Sequence, residues 1–382
     1  MASDRVVVVS YDDLASSTDL STQLERAFGS SSRGLIAIRG VPGFVEAKRR
    51  FLPLAHGLAH LDPEHLEKNL TDERSFYNAG WSRGKEKLGD EPDFSKGSYY
   101  FNPITDRPGS DKERETYPAS FPCNIWPDEA ANRQLDGFRE SARELGRIMH
   151  DSVVLLARHI DSMAKSKVSG YSDGSLFEAM KTTQKAKGRL LYYYPLGGDS
   201  QDAASAAPKE DSWIGWHNDS GFLTALSGDM YVNDETGEPL DRSEVDPEAG
   251  LYVAEHGTGA PVRVDIPEDC LAIQTGECLQ ILTGGIVAAT PHCVRGPRPE
   301  WKGEGSEESS GVRVARISCP CFVDSGPTFP LSMPEGCSRD DVLGAGAGGG
   351  RVPPLERRWT ENGQTFGDFL QRSFEVYYDW SR

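Results

Sequence analysis

No C-x-x-C pair occurs in this chain, and its seven cysteines (Cys123, Cys270, Cys278, Cys293, Cys319, Cys321 and Cys337) form an odd set. That pattern excludes a zinc knuckle and argues against a disulfide framework, so reduced thiols are expected. Long apolar runs are missing too. Val6 to Val9 is a four-residue stretch, far short of the roughly 20 apolar residues a membrane-spanning helix needs. No targeting segment is in view, and a cytoplasmic monomer is the expectation. Positive charge is also scarce: 41 basic residues stand against 59 acidic ones, for a formal net charge of −18. This excess disfavours a nucleic-acid groove or an anionic membrane surface as partner. A small molecule fits better.

What is present is a change of pattern near the middle of the 382 residues. Ser21 to Phe28, Val45 to Leu58 and above all Ala130 to Met163 carry apolar residues at helical spacing. Ser175-Leu176-Phe177-Glu178 has the form of a capping box and starts one more helix, to about Thr183. From Gly188 the pattern shifts to short strands: Leu190–Tyr194, Phe222–Leu226, Met230–Asn233, Leu251–Glu255, Val262–Ile266, Leu271–Thr275, Leu279–Leu282, Ile286–Ala289 and Val312–Phe322. Turns rich in Gly, Asp and Pro separate them, as in a jelly roll or barrel. Asn233–Ala249, Arg298–Gly311 and Gly344–Gly350 read as loops, and Thr365–Trp380 as a helix that packs back on the barrel. The expected fold is mainly β with flanking helices, divided as a helical region 1–187, a β core 188–330 and a C-terminal loop and helix 331–382.

Two short strings carry the chemistry. Trp216-His217-Asn218-Asp219 is followed, 73 residues beyond Asp219, by Thr290-Pro291-His292. A histidine, a carboxylate two positions on and a distant second histidine form the 2-His-1-carboxylate triad of non-heme Fe(II) oxygenases. In an extended strand, side chains at i and i+2 share a face, so His217 and Asp219 can meet one metal. By the same parity His292 and Val294 face inward and Cys293 and Arg295 face away. Trp213 and Trp216, flanking the metal strand, are expected in the core. Competing motifs lack context. Gly170-Tyr171-Ser172-Asp173-Gly174 matches the G-x-S-x-G elbow but follows a polar, lysine-containing stretch where that motif needs a buried strand. Gly344 to Gly349 matches G-x-G-x-x-G between a polar segment and Pro353-Pro354, where no dinucleotide site can form. His56 and His60 share a helical face without an evident third ligand.

Around the triad, further strings stand in order: Tyr192-Tyr193-Tyr194-Pro195, then Gln274-Thr275-Gly276-Glu277-Cys278-Leu279-Gln280-Ile281-Leu282-Thr283-Gly284-Gly285, then Arg316-Ile317-Ser318. This order resembles the isopenicillin N synthase-like branch of the Fe(II)/2-oxoglutarate oxygenases, and the likeness spans most of the chain, weakest between about Glu64 and Pro122. The resemblance implies a double-stranded β-helix core that binds Fe(II) through His217, Asp219 and His292, with 2-oxoglutarate as cosubstrate, dioxygen, and ascorbate as an accessory reductant. It further implies oxidation of a small organic substrate by hydroxylation, desaturation or ring closure, with release of succinate and carbon dioxide.

Arg316 and Ser318 share a strand face with Val314 and Phe322, so a guanidinium projects into an otherwise apolar barrel. The distal carboxylate of 2-oxoglutarate would pair with it, and the Ser318 hydroxyl would add a hydrogen bond. Tyr194 matches the family position whose phenol meets the same carboxylate, and Tyr192 the position near the metal-bound end. Arg83, Lys96 and Tyr100 mix cations with aromatics in the least family-like region. They are the candidate substrate contacts, and they suggest a carboxylate-bearing substrate. Two alternatives stand: an iron oxidase of the same fold that does not use 2-oxoglutarate, as isopenicillin N synthase and aminocyclopropane carboxylate oxidase do not, and a non-catalytic metal or small-molecule binder.

Overall fold

A computed structural model describes residues 6–88, 91–196, 213–298, 301, 312–346 and 350–380. Its centre is the helix Phe138–Lys167, whose Leu145, Met149, Val153, Leu156, Ile160 and Met163 are fully buried along one face. That 3.6-residue stripe is what the sequence shows. The helix begins later than Ala130, after a 3-10 turn at Arg133–Leu135 and a left-handed Gly137. Ser21–Phe28 is a helix as expected. The Val45–Leu58 stretch breaks into Phe44–Phe51 and Leu54–Ala59 at Pro53, which has no N–H to continue the ladder. Ser175–Thr182 is helical but has no capping box. Asp161, on the long helix, caps it instead by accepting the Leu176 and Phe177 amides at 3.1 and 2.7 Å.

A large sheet packs against this helix through Leu223–Asn233 and Val314–Val323, and a smaller sheet accompanies it. The larger has eight strands in the order Val7–Ser10, Leu35–Arg39, Cys270–Thr275, Leu223–Asn233, Val314–Val323, Ala186–Tyr193, Lys96–Phe101 and Gly80–Arg83. Only its first pair is parallel. The smaller is antiparallel: Pro261–Arg263, Gly250–Ala254, His292–Arg295 and Ile214–His217. The chain is thus sheet-rich with flanking helices, but its N-terminal region is not purely helical. Val7–Ser10, Leu35–Arg39, Gly80–Arg83 and Lys96–Phe101 all enter the large sheet.

Several expected strands take another form. Phe222–Leu226 and Met230–Asn233 are parts of one strand, Leu223–Asn233, interrupted by a bulge opposite Ser318 and Pro320. Gly228, at φ 74°, occupies the bulge in a conformation that favours glycine. Leu279–Leu282 belongs to the helix Glu277–Leu282, and Ile286–Ala289 has no strand partner. Short apolar runs of this kind do not separate buried helix from buried strand by periodicity. Asn233–Ala249 is not simply a solvated loop, since Val245 and Asp246 are buried and Asp246 pairs with Arg298. Most of Arg298–Gly311 and part of Gly344–Gly350 fall outside the described residues. Among the described residues no helix is long and apolar enough to cross a membrane.

The C-terminal helix Phe366–Trp380 packs back on the large sheet, its Phe366 ring 5.2 Å from that of Phe222. Just before it, Arg358 is fully buried and grips Glu277 with both terminal nitrogens. Removing one partner of such a pair strands the other charge. Arg358→Met is therefore expected to cost about 3–5 kcal/mol, read as a lowered urea midpoint. A midpoint equal to that of the unaltered protein would show that the pair is not needed.

Candidate active site

His217 ends one strand of the small sheet and His292 begins its neighbour, and the two are directly paired across the ladder. Their ring centroids are 4.2 Å apart. Asp219 lies just past the strand end, and ligand atoms of His217, Asp219 and His292 all fall within 4.8 Å of one another. Asp219 and His292 are buried.

Hydrogen bonds behind each side chain set which atom faces the shared point. His217 Nδ1 donates to the Gly215 carbonyl at 2.8 Å, which leaves Nε2 with its lone pair. Nδ1 of His292 lies 3.2 Å from the Thr290 carbonyl and 2.7 Å from the Gln274 side-chain amide. The amide nitrogen is the atom placed against Nδ1; exchanging it with the amide oxygen lets Nδ1 carry the proton toward both acceptors, and His292 then presents a bare Nε2. Asp219 Oδ2 accepts from the Thr224 hydroxyl at 2.6 Å, so Oδ1 is the free oxygen. Burial, reinforced by His292 and opposed by Asp219, brings the His217 pKa down to about 4. The imidazole is then neutral at ordinary pH, the state a metal requires.

The loop holding Asp219 is fixed from behind. Glu277 and Cys278, at the start of their helix, donate amide hydrogens to the Asp219 and Gly221 carbonyls at 2.8 and 3.0 Å. A Cβ on Gly276 would stand 2.2 Å from the Gly221 oxygen, so only glycine allows this approach. Asn218, between the two ligands, donates its side-chain amide to Glu277 (2.8 Å) and its backbone N–H to the Tyr377 hydroxyl (3.0 Å). Sequence reasoning gave no role to Gln274, Thr224, Glu277, Arg358 or Tyr377. The first and third stood in the quoted Gln274–Gly285 string, whereas the last two carry no local pattern that points to the site.

A cavity of about 560 Å³ opens from the triad between the two sheets. Val294, Thr224, Leu226, Phe322, Arg316 and Ser318 line it. Arg316 is buried, and its Nη2 donates to Asp229 at 2.5 Å while its face lies 4.6 Å from the Tyr193 ring centre. Burial opposes its charge, but Asp229 together with the Tyr193 and Tyr231 phenols moves the pKa above its ordinary value. Nε and Nη1 have no hydrogen-bond partner. These unsatisfied N–H groups flank Nη2 on either side, so the buried guanidinium keeps donors free for an anion beside its bond to Asp229.

The two tyrosines selected from the sequence are not in this cavity. Strand register pairs Tyr193 with Arg316, which puts Tyr193 on the cavity face and turns Tyr192 and Tyr194 to the other side. There Tyr192 donates to Asp234 at 2.7 Å and Tyr194 to the Ala59 carbonyl at 3.1 Å. Arg83 is on that same side, stacked 4.1 Å from the Tyr194 ring centre. Lys96 and Tyr100 share the parity of Tyr193 but do not line the cavity. Lys96 is buried against Asp93 and Glu86, and Tyr100 donates to Glu86 at 3.0 Å. Val294 lines the cavity beside His292 as parity requires, Cys293 does not, and Arg295 stacks on Tyr252. Trp213 is core, whereas Trp216 is only half-buried, with Arg351 stacked on its ring. Gly170–Gly174 is the turn before a helix, and His56 Nε2 lies 2.9 Å from the Asp234 carbonyl.

Two outcomes test this geometry. Thr224→Val removes the donor to Asp219 Oδ2 and is expected to weaken Co(II) binding about 10- to 100-fold by calorimetric titration, with unaltered affinity counting against the assignment. In chelator-treated protein, the unfolded His217 takes up its proton near pH 6.5 but the folded one only near 4. The contribution of His217 is therefore fully present above about pH 6.5 and is lost as pH falls toward 4. Urea midpoints across this range should show a steeper decline for the unaltered protein than for His217→Gln; equal slopes would contradict it.

No family model matches the chain, and no curated protein matches it at the level of sequence. Solved structures do. A 2OG-Fe(II) oxygenase family protein from Caulobacter crescentus is similar at 19% identity and TM-score 0.63, with 97% of this chain and 98% of that one covered. A full-length Neurospora crassa protein in complex with alpha-KG is similar at 16% identity and TM-score 0.65, over 97% and 96%. JOX2 in complex with 2OG, Fe and JA is similar at 15% identity and TM-score 0.60, over 97% and 85%. The kinship expected from the motifs thus holds at the level of architecture: this chain has the fold of the 2OG-Fe(II) oxygenases.

Proposed function

We propose that this chain is an Fe(II)- and 2-oxoglutarate-dependent oxygenase of a small organic molecule, with the two sheets forming a double-stranded β-helix core. The observation that carries the reading is a half-buried His217 with buried Asp219 and His292, sharing one cavity with an Arg316 that has two unsatisfied donor atoms. Two neutral imidazoles and one carboxylate oxygen suit Fe(II) and leave coordination positions open. When bound, the iron, 2-oxoglutarate and dioxygen together supply the oxidant, with release of succinate and carbon dioxide.

The protein's own residues hold and orient. His217 and His292 would hold the metal through Nε2, with the Gly215 and Thr290 carbonyls beside their other nitrogens. A free N–H of Arg316, with the Ser318 hydroxyl, would receive the distal carboxylate, and the Tyr193 ring keeps the guanidinium plane in place. Leu226, Val294 and Phe322 keep the surrounding wall apolar. That the Neurospora crassa protein binds alpha-KG and JOX2 binds 2OG, Fe and JA supports this reading of the shared fold.

The test is succinate release with Fe(II), 2-oxoglutarate and a panel of small organic substrates. His217→Ala and Asp219→Ala should each abolish it, and Arg316→Met should raise the KM for 2-oxoglutarate about tenfold or more, the scale of a lost charged hydrogen bond. Undiminished succinate in both triad variants would remove the iron assignment. Substrate oxidation without succinate would favour the iron oxidases that do not use 2-oxoglutarate.

A further inference from the structure

We infer that the cavity contains a second anion subsite at Lys48, and that the molecule oxidised carries a carboxylate which this lysine receives. Lys48 lies on the helix Phe44–Phe51, is 9% exposed, and lines the same cavity as the triad. No hydrogen bond or ion pair joins it to any of the described residues. A lysine this buried is ordinarily paired. An ammonium has three donors and no acceptor, and with no partner among the described residues it offers all three to an anion entering the cavity.

The surrounding charges do not supply that anion. Burial, with the neighbouring Arg49 adding to it, moves the Lys48 pKa below its ordinary value, and Asp229 and Glu268 offset this only in part. Neither carboxylate is at ion-pair distance, and Asp229 is already bound to Arg316. The backbone keeps a space open at this point. Gly228, in the bulge, would carry a Cβ 3.2 Å from Lys48 Nζ if it were any other residue.

Other buried or half-buried cations around the cavity are engaged. Arg189 pairs with Glu86 and donates to Ser98. Arg242 donates to backbone carbonyls of its own loop, and Arg263 pairs with Asp265 through Nη2 although its Nε has no partner. Arg49 is exposed at the rim. Resting on the reading above, 2-oxoglutarate has one carboxylate for the metal and one for Arg316. A cation is then left over, and a second anionic molecule accounts for it. The carboxylate-bearing substrate expected from Arg83 and Lys96 is thereby reassigned to a residue on another element.

The same lysine could instead assist Arg316 with the distal carboxylate of 2-oxoglutarate, and the experiment separates the two sources. Crystals of the Mn(II) and 2-oxoglutarate complex are soaked in sodium bromide, with the halide located by its anomalous signal. A bromide on Lys48 Nζ in the unaltered protein, absent in both Lys48→Met and Lys48→Gln, is expected; no bromide there overturns the subsite. Calorimetric titration of 2-oxoglutarate should give dissociation constants within twofold for the unaltered protein and both variants. A tenfold loss would assign Lys48 to the cosubstrate and overturn the substrate assignment. In substrate-stimulated succinate release, small carboxylic acids should outperform their primary amides, and Lys48→Met should raise KM for the acids alone. Amides stimulating as well as acids would overturn it. Failure of the cosubstrate reading would show separately, as no 2-oxoglutarate binding to the unaltered protein.

Discussion

The ion pair between Glu277 and Arg358 holds the site together from outside it. Both residues are buried, 81 positions apart in sequence, and Glu277 also accepts from the Asn218 side chain between two of the triad residues. A charge pair removed from water contributes little net stability against an apolar alternative, yet losing either partner leaves an uncompensated charge. Its value here is geometric. A carboxylate satisfied by a guanidinium on one side and an amide on the other has few orientations left, so Asn218 is fixed, and with it the turn that places Asp219 against two histidines of the small sheet. The Tyr377 hydroxyl adds a second brace from the C-terminal helix. Docking of the last segment and readiness of the metal site are therefore one structural event.

The triad was legible because its signal is local and periodic. Two ligands two residues apart and a third on a paired strand satisfy a rule that a single sequence displays. The long central helix was legible for the same reason. What failed was parity where no marker fixed it. Three consecutive tyrosines, Tyr192 to Tyr194, offer the same chemistry on both faces of a strand, and only the pairing of Tyr193 with Arg316 decides which one enters the cavity. A slip of one residue reverses every side chain. The bracing residues failed differently: Arg358 and Tyr377 act across long sequence separations, and neither stands in a motif.

The cations tell a related story. Arg83 and Lys96 attracted notice because they lie among aromatics, but aromatics stack on cations for packing as readily as for binding. In the fold Arg83 is stacked on Tyr194 and Lys96 is neutralised by Asp93 and Glu86. Lys48, in an unremarkable amphipathic helix, has no such partner. Local context identified charged residues, and only three-dimensional accounting separated engaged ones from free ones.

Asp229 shows why that accounting matters for chemistry as well. A guanidinium as buried as Arg316 would be costly with no counter-ion, and a site that depended wholly on its ligand for neutralisation would be unstable between turnovers. Asp229 takes one terminal nitrogen and leaves Nε and Nη1 unsatisfied. The guanidinium is thus held in position and charged before any anion arrives, which lowers the reorganisation that binding requires. The same carboxylate also limits the attraction, because an incoming anion meets a negative neighbour as well as the free N–H groups. A position held this firmly by Asp229 and the Tyr193 ring makes recognition depend on where an anion's oxygens lie more than on net charge.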